Sequence, residues 1–279
     1  MINTNEILKK YHIRLTKSLG QNFLTDINVL QKIVDAGDLT ENDLALEIGP
    51  GIGALTVNLA QKAGSVIAIE LDKNLIPALE ETTGSFENIT IINNDILKVD
   101  VKSLISGWEG PVKVISNLPY YVTTPVVMMF LENNIPIERM VIMVQKEVAQ
   151  RMSAQPCTKE YGALSVGVQA AGNAKLMFNV SHNCFIPKPD VDSSVLRIML
   201  HDKYLKMIKD REVFFRCVRA AFSQRRKTLL NAMSNYTGLM LNKEVVRDLI
   251  TIMKLKENVR GEELSVEQFI QLSNLVTDL

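Results

Sequence analysis

Four short apolar segments, Leu44–Ile48 and residues 66–69, 89–92 and 112–115, each run into a glycine or a polar side chain. Segments this short, rich in Ile, Val and Leu and without polar alternation, suit strands covered on both faces. Polar turns and helical stretches follow them, so the expected fold is an open α/β sheet with functional groups gathered at the C-terminal strand edge.

Each strand end carries a different chemistry. Leu44–Ile48 leads into Gly49-Pro50-Gly51-Ile52-Gly53 and a helix expected from near Leu55. Glycines at alternate positions let the backbone turn sharply and approach a ligand that any Cβ would hold off. The spacing is GxGxG, not the GxGxxG of dinucleotide-binding folds. The second segment ends in Glu70, whose carboxylate can accept from both hydroxyls of a ribose. The third ends in Asn93-Asn94-Asp95, where Asp95 can accept from an exocyclic adenine amine.

The fourth segment ends in Ser116-Asn117-Leu118-Pro119-Tyr120-Tyr121. Pro119 cannot continue a ladder and holds Leu118 extended, so the carbonyls of 117 to 119 are expected to project from the strand end. The amine of adenine is a poor nucleophile because its lone pair is delocalised into the ring. Acceptors aimed at its two N–H bonds, here the Asn117 side-chain oxygen and a carbonyl of Leu118-Pro119, would favour a pyramidal nitrogen able to attack a methyl group. Tyr120 would hold the base by stacking. The same residues suit an ordinary strand-to-turn sequence in which Asn caps and tyrosines pack. Four ligand-type strand ends in succession favour the first reading. Thr124-Pro125 reads as N-cap and first residue of the helix that follows.

The 279 residues allow one full α/β domain and a small appendage. No apolar run reaches the roughly 20 residues of a membrane span, and the amino terminus lacks a signal-peptide layout, which points to the cytoplasm. Cys157, Cys184 and Cys217 have no metal-ligand or CxxC spacing, and no zinc site or other metal is expected. Equal numbers of basic and acidic residues, 31 each, do not mark a nucleic-acid binder, so that reading needs local patches.

Residues 1–17 form a basic arm, expected to be flexible, with Lys9, Lys10, His12, Arg14 and Lys17 against Glu6. A loop through Gln21, Asn22 and Leu24 precedes a helix capped by Asp26 and closed by Gly37. Further on, residues 140–144 read as a fifth strand, 161–171 as a helix, and 174–180 and 194–200 as a last pair of strands. Phe185 lies between that pair in a loop stiffened by Pro187 and Pro189. Residues 197–227 hold ten Lys or Arg against three acids. The expectation is one amphipathic helix over 213–230, burying Phe214, Phe215, Val218, Ala221 and Phe222 and turning Arg216, Arg219, Arg225, Arg226 and Lys227 outward as a phosphate-binding surface. Ser265 and Gln268 form a capping box for the final helix.

With these blocks in hand, the chain resembles the ribosomal RNA adenine dimethyltransferase family, its small-subunit branch in particular. The resemblance rests on Leu19-Gly-Gln-Asn-Phe-Leu24, Glu47-Ile-Gly-Pro-Gly-Ile-Gly53, Asn117-Leu-Pro-Tyr120, Phe185 with Pro187 and Pro189, Val191-Asp-Ser-Ser-Val195 and Phe222-Ser-Gln-Arg-Arg-Lys-Thr-Leu-Leu230, in the family's order. It implies a Rossmann-like class I methyltransferase domain over 1–201 and an all-helical rRNA-binding domain over 202–279. It also implies S-adenosylmethionine as donor and N6,N6-dimethylation of two adjacent adenosines in the terminal hairpin of small-subunit rRNA. Carried over, Asn22 and Leu24 would line the methionine side of the cofactor and Gly49 and Gly51 would approach it. Glu70 would bind its ribose, Asp95 its adenine, and Asn117 would face cofactor and target amine. Tyr120 and Phe185 would sandwich the base, and Arg225, Arg226 and Lys227 would grip rRNA. The partner implied is the immature small subunit, bound by a monomer.

Other readings are the related large-subunit methyltransferases of macrolide resistance, a non-catalytic assembly factor, and a nicotinamide dehydrogenase. The basic 225–227 run and long carboxy-terminal extension weigh against the first, the intact Asn117–Tyr120 block against the second, and GxGxG against the third.

Overall fold

The computed structural model describes residues 2–13, 20–224 and 226–279. Its sheet grows from the apolar segments: β2 (Leu44–Ile48), β3 (Ser65–Glu70), β4 (Ile89–Asn93) and β5 (Val112–Asn117), with β6 (Arg139–Gln145), β7 (Gly172–Val180) and β9 (Ser193–Leu200). The order is β4-β3-β2-β5-β6-β9-β7. β2 pairs in parallel with β3, Leu44 opposite Ser65, and with β5, Leu44 opposite Val112. Every residue of β2 is buried, as a central parallel strand requires. β9 runs antiparallel to β6. Because β2 lies between β3 and β5, connections leave it in opposite directions, and their C-terminal ends flank the crevice where such sheets hold ligands.

Helices of the first unit include α2 (Ile27–Gly37), α3 (Thr56–Ala60), α4 (Ile76–Thr83) and α5 (Val101–Ile105). Asp26 caps α2, accepting from the amides of Asn28 and Val29, and Ile33 and Val34 enter the core. Several expectations need correction. Part of the basic arm is ordered: α1 (Thr4–Lys10) ends with Lys10 and Tyr11 both bonded to Glu81, while Ile7 and Leu8 pack on Phe23, Ile52 and Leu75. Arg14 and Lys17 lie outside the described residues. The loop through Leu24 contains β1 (Phe23–Leu24), paired antiparallel with β8 (Phe185–Ile186). Finally, α6 (Thr123–Glu132) begins one residue before the expected cap at Thr124, and the Thr123 hydroxyl donates back to the Pro119 carbonyl at 3.1 Å.

The chain forms two units: Met1–Phe130 with Asn134–Ala149 and Lys175–Leu200, and Leu131–Asn133 with Gln150–Ala174 and His201–Leu279. The boundary at Ala149 falls within α7 (Lys146–Met152), which follows β6 directly. The expected division fell at residue 201 alone; here α8 (Ala163–Ala171) also joins the second unit.

In that second unit α9 (Arg211–Ala221) is capped by Asp210 and buries Phe214, Phe215 and Val218. The single helix expected over 213–230 is two: α9 stops at Phe222, and Thr228 restarts the chain as N-cap of α10 (Leu229–Ser234). Arg226 and Lys227 stand exposed on the link between them, and Arg225 lies outside the described residues. Arg219 and Arg216 are engaged, Arg219 with Glu132 at 2.6 Å and Arg216 with Glu212. α11 (Lys243–Ile252) and α12 (Val266–Thr277) complete the unit, the latter capped by Ser265 and Gln268 as expected. No helix among the described residues is long and apolar enough to cross a membrane.

Candidate active site

The carboxyl ends of β2, β3, β4 and β5 open into one cleft. The glycine turn forms its floor. Gly49, Gly51 and Gly53 all have positive φ, at 68°, 62° and 86°. A Cβ on Gly51 would sit 2.9 Å from Phe23 Cε1, and one on Gly49 3.0 Å from Pro119 Cγ. Space and backbone conformation therefore both demand glycine at these two positions. The close approach of Gly49 to Pro119 brings the first and fourth strand ends together.

Glu70 is 6% exposed. One of its carboxylate oxygens accepts from the Gly51 amide at 3.0 Å and the other from the Asp72 amide at 2.8 Å. Burial raises its pKa, and the two amides offset this only in part. Asp95, also on the cleft wall, accepts from the Leu97 amide at 3.0 Å. Asn22 and Leu24 line the same space, Asn22 donating to the Gly20 carbonyl at 3.0 Å.

Asn117 donates from Nδ2 to the Asn22 carbonyl at 3.3 Å, which turns its Oδ1 to the other side. The expectation of projecting carbonyls holds only in part. Pro119 is occupied, accepting from the Val122 amide and the Thr123 hydroxyl, both at 3.1 Å. Among the described residues nothing donates to the Leu118 carbonyl, the next backbone acceptor after Asn117. Tyr120 shares a hydrogen bond with the Ser193 hydroxyl at 2.6 Å, which fixes the ring, and burial raises its pKa.

Phe185 departs from its expected place opposite Tyr120. Its side chain is 1% exposed, packs in the core with Leu24, Leu30 and Ile33, and lies outside the cleft wall. The pairing of Leu24 with Phe185 across the β1–β8 ladder draws the ring inward. In this arrangement it is a core plug, the aromatic at the cleft mouth being Tyr121, 50% exposed. Tyr121, Gln21 and Glu47 border the cleft without having been assigned to it from sequence. Gln21 Nε2 reaches Asp72 at 2.7 Å. Among the described residues no group of three His, Cys, Asp or Glu could hold a metal ion.

Comparison with known proteins fits this arrangement. The family model described as ribosomal RNA adenine dimethylase matches residues 13–278. Ribosomal RNA small subunit methyltransferase A of Alkaliphilus oremlandii is 49% identical over 274 residues, 97% of this chain and 95% of that protein. The Clostridioides difficile protein of the same name is 46% identical, over 98% and 94%. Among solved structures, a dimethyladenosine transferase from Plasmodium falciparum superposes with a TM-score of 0.71 at 24% identity, covering 90% of this chain and 95% of that one. The 23S rRNA methyltransferase ErmE superposes at 0.64 and 22% identity, covering 92% and 100%. At these identities the two structures speak for the fold alone.

Proposed function

Because the chain belongs to the ribosomal RNA adenine dimethylase family, we propose that it methylates small-subunit ribosomal RNA, placing two methyl groups on N6 of each of two adjacent adenosines in the 3′-terminal hairpin. One observation carries the reading: Asn117, Glu70 and Asp95 border a single cleft around a turn whose positive φ and close contacts favour glycine.

S-adenosylmethionine, when bound, supplies an electrophilic methyl group on its sulfonium. The glycine turn lets backbone approach it at Gly49 and Gly51, with Asn22 and Leu24 on its methionine side. Glu70, its outer lone pairs free of the Gly51 and Asp72 amides, accepts from the ribose hydroxyls, and Asp95 accepts from the adenine amine. Asn117 Oδ1 and the Leu118 carbonyl take the two N–H bonds of the target amine and so concentrate its lone pair on nitrogen. Tyr120, held by Ser193, offers its ring as a stacking face. With each methyl group gained the amine would lose one N–H proton to solvent, from the side held by Asn117 Oδ1 and the Leu118 carbonyl.

The natural partner is rRNA within an assembling small subunit, met in the cytoplasm by a monomer and gripped in part by Arg225, Arg226 and Lys227. Incubating the protein with S-adenosylmethionine and small subunits from cells lacking this gene, then mass-mapping the rRNA, tests the proposal. Two dimethyladenosines should appear in the small-subunit rRNA; an rRNA left unmodified would reject it.

A further inference from the structure

β2 and β5 part where the cleft opens between them. Their parallel register runs from Leu44 opposite Val112 to Leu46 opposite Val114 and stops there, although β2 continues to Ile48 and β5 to Asn117. Backbone bonding persists on the outer flanks: the Gly49 amide donates to the Ile69 carbonyl at 2.9 Å, and the Leu118 amide to the Met143 carbonyl at 3.2 Å. Across the gap itself the Ser116 hydroxyl donates to the Ile48 carbonyl at 2.5 Å. A side chain thus takes over where the ladder ends. Ser116 is fully buried and stands behind the cleft wall, which Ile48 and Asn117 both line. A short hydrogen bond sealed from water holds its two partners at a fixed separation. The residues just beyond the joined pair are correspondingly close, a Cβ on Gly49 standing 3.0 Å from Pro119 Cγ.

We propose that Ser116 is a positioning residue: its bond to Ile48 sets the distance between the methyl donor over the glycine turn and the amine held at Asn117, and the second methyl transfer depends on that distance more than the first. This role rests on the dimethylation proposed above. In each transfer the amine nitrogen forms a bond to the methyl carbon, the sulfonium–methyl bond breaks, and one proton leaves the nitrogen for solvent. The unmethylated amine has two N–H bonds, one for Asn117 Oδ1 and one for the Leu118 carbonyl. The monomethylated amine keeps one, so a single directional bond must aim its lone pair. A nitrogen held at two points tolerates a displaced acceptor better than a nitrogen held at one. Because Asn117 follows Ser116 directly, slackening the bond to Ile48 displaces that acceptor relative to the donor, and a misplacement on the order of 1 Å costs up to about 100-fold in rate. The donor site has its own supports in the Gly49–Ile69 and Gly51–Glu70 bonds, which Ser116 does not make.

Ser116→Ala removes the hydroxyl, and Ser116→Cys replaces it with a bulkier, weaker donor that lengthens the link. Single-turnover methylation of small subunits from cells lacking this gene, followed by nuclease digestion and mass analysis, reads the two transfers separately as monomethyl- and dimethyladenosine. Both variants should slow the second transfer by roughly 10-fold and the first by no more than about 3-fold, so that monomethyladenosine accumulates where wild type leaves little. Calorimetry should find S-adenosylmethionine affinity within about 2-fold of wild type. A hydroxyl serving stability alone would lower the folded fraction and slow both transfers alike. An unchanged ratio of the two rates, or equal losses in rate and donor affinity, would therefore overturn the positioning role while leaving the dimethylation intact. Should Ser116→Ala fail to fold, seen as loss of its thermal transition, the ratio measured for Ser116→Cys decides by the same outcomes. Wild-type protein that leaves small-subunit rRNA unmethylated would instead overturn the proposed function beneath it.

Discussion

The Gly51 amide donates to the Glu70 carboxylate across 3.0 Å, so the tip of the glycine turn and the end of the neighbouring strand are held as one piece. Replacing Gly51 with Ala strikes both members. The left-handed φ of 62° costs a side chain roughly 1–2 kcal/mol, and the new methyl would stand 2.9 Å from the Phe23 ring. Gly51→Ala should lower stability by about 1–3 kcal/mol and weaken S-adenosylmethionine on the order of 10-fold. Denaturant melts and calorimetry together check this; a stable variant with full affinity would show that the turn tolerates displacement.

At the other end of the same strands, stability should depend on acid pH through Asp43 and Lys113. Lys113 Nζ donates to Asp43 Oδ2 at 2.8 Å and to the Asp38 carbonyl at 2.7 Å, the Asp43 and Lys113 side chains both being buried. Burial pushes the Asp43 carboxyl up, but Lys113 and the Thr40 amide and hydroxyl outweigh it and hold the pKa below the ordinary value. A carboxylate depressed in the folded state contributes stability that is complete above its unfolded pKa, about 3.9, and is lost as pH falls through the folded value. Lys113→Met should cost roughly 3–5 kcal/mol at pH 7, because it strands the carboxylate, and this penalty should shrink as acid neutralises Asp43. Urea midpoints of both proteins between pH 3 and 7 give the comparison; a pH-independent difference would locate the cost in packing instead.

How far the sequence could be read varies along the chain for physical reasons. The four strand ends were legible because a buried parallel strand leaves an uninterrupted apolar run, and Gly49, Glu70, Asp95 and Asn117 interrupt it at the cleft. β1 and β8 were not, since two-residue strands have no period to detect. The break after Phe222 was hidden because Gln224, Arg226 and Lys227 are good helix formers and no Gly or Pro marks the stop. Only Thr228, a suitable N-cap, carried a signal. Two prolines announce that the loop of Phe185 is stiff but not which way the ring points. Glu47 went unassigned because it stood inside a matching motif, although a lone acid within a strand buried throughout is itself a signal.

Tyr120 separates stacking from hydrogen bonding. Tyr120→Phe removes the bond to Ser193 but keeps the ring, and should leave methyl transfer within a few-fold of wild type. Tyr120→Ala removes the stacking face and should lose about 1–3 kcal/mol of rRNA transition-state binding. Single-turnover rates on small subunits measure both, and equal losses would mean that the hydroxyl, not the ring, carries the role.

Asn117 should matter to chemistry more than to cofactor affinity. Its Nδ2 is committed to the Asn22 carbonyl, so Oδ1 is the atom offered to the target amine. Asn117→Ala should lower methyl transfer on the order of 100-fold or more. Cofactor affinity, read by calorimetry, should change far less, and equal losses would make Asn117 a cofactor ligand only.

The last prediction concerns the link between α9 and α10. Arg219 and Arg216 already pair with Glu132 and Glu212, whereas Arg226 and Lys227 are exposed on a connection too short to bury them. Ion pairs within the unit reduce what the first two can give to phosphate; the second two are placed to give it. Removing one cation–phosphate interaction should lower the slope of log affinity against log salt by about one unit. Replacing both Arg226 and Lys227 with Gln should therefore flatten the salt dependence of small-subunit binding by about two units and weaken it most at low salt. Folding and S-adenosylmethionine affinity should stay as they are, since neither residue packs in a core. Co-sedimentation of both proteins with purified small subunits across a salt series reads the slope directly. Charges that are merely solvated would leave that slope unchanged, and the rRNA-binding surface would then have to be sought elsewhere on the protein.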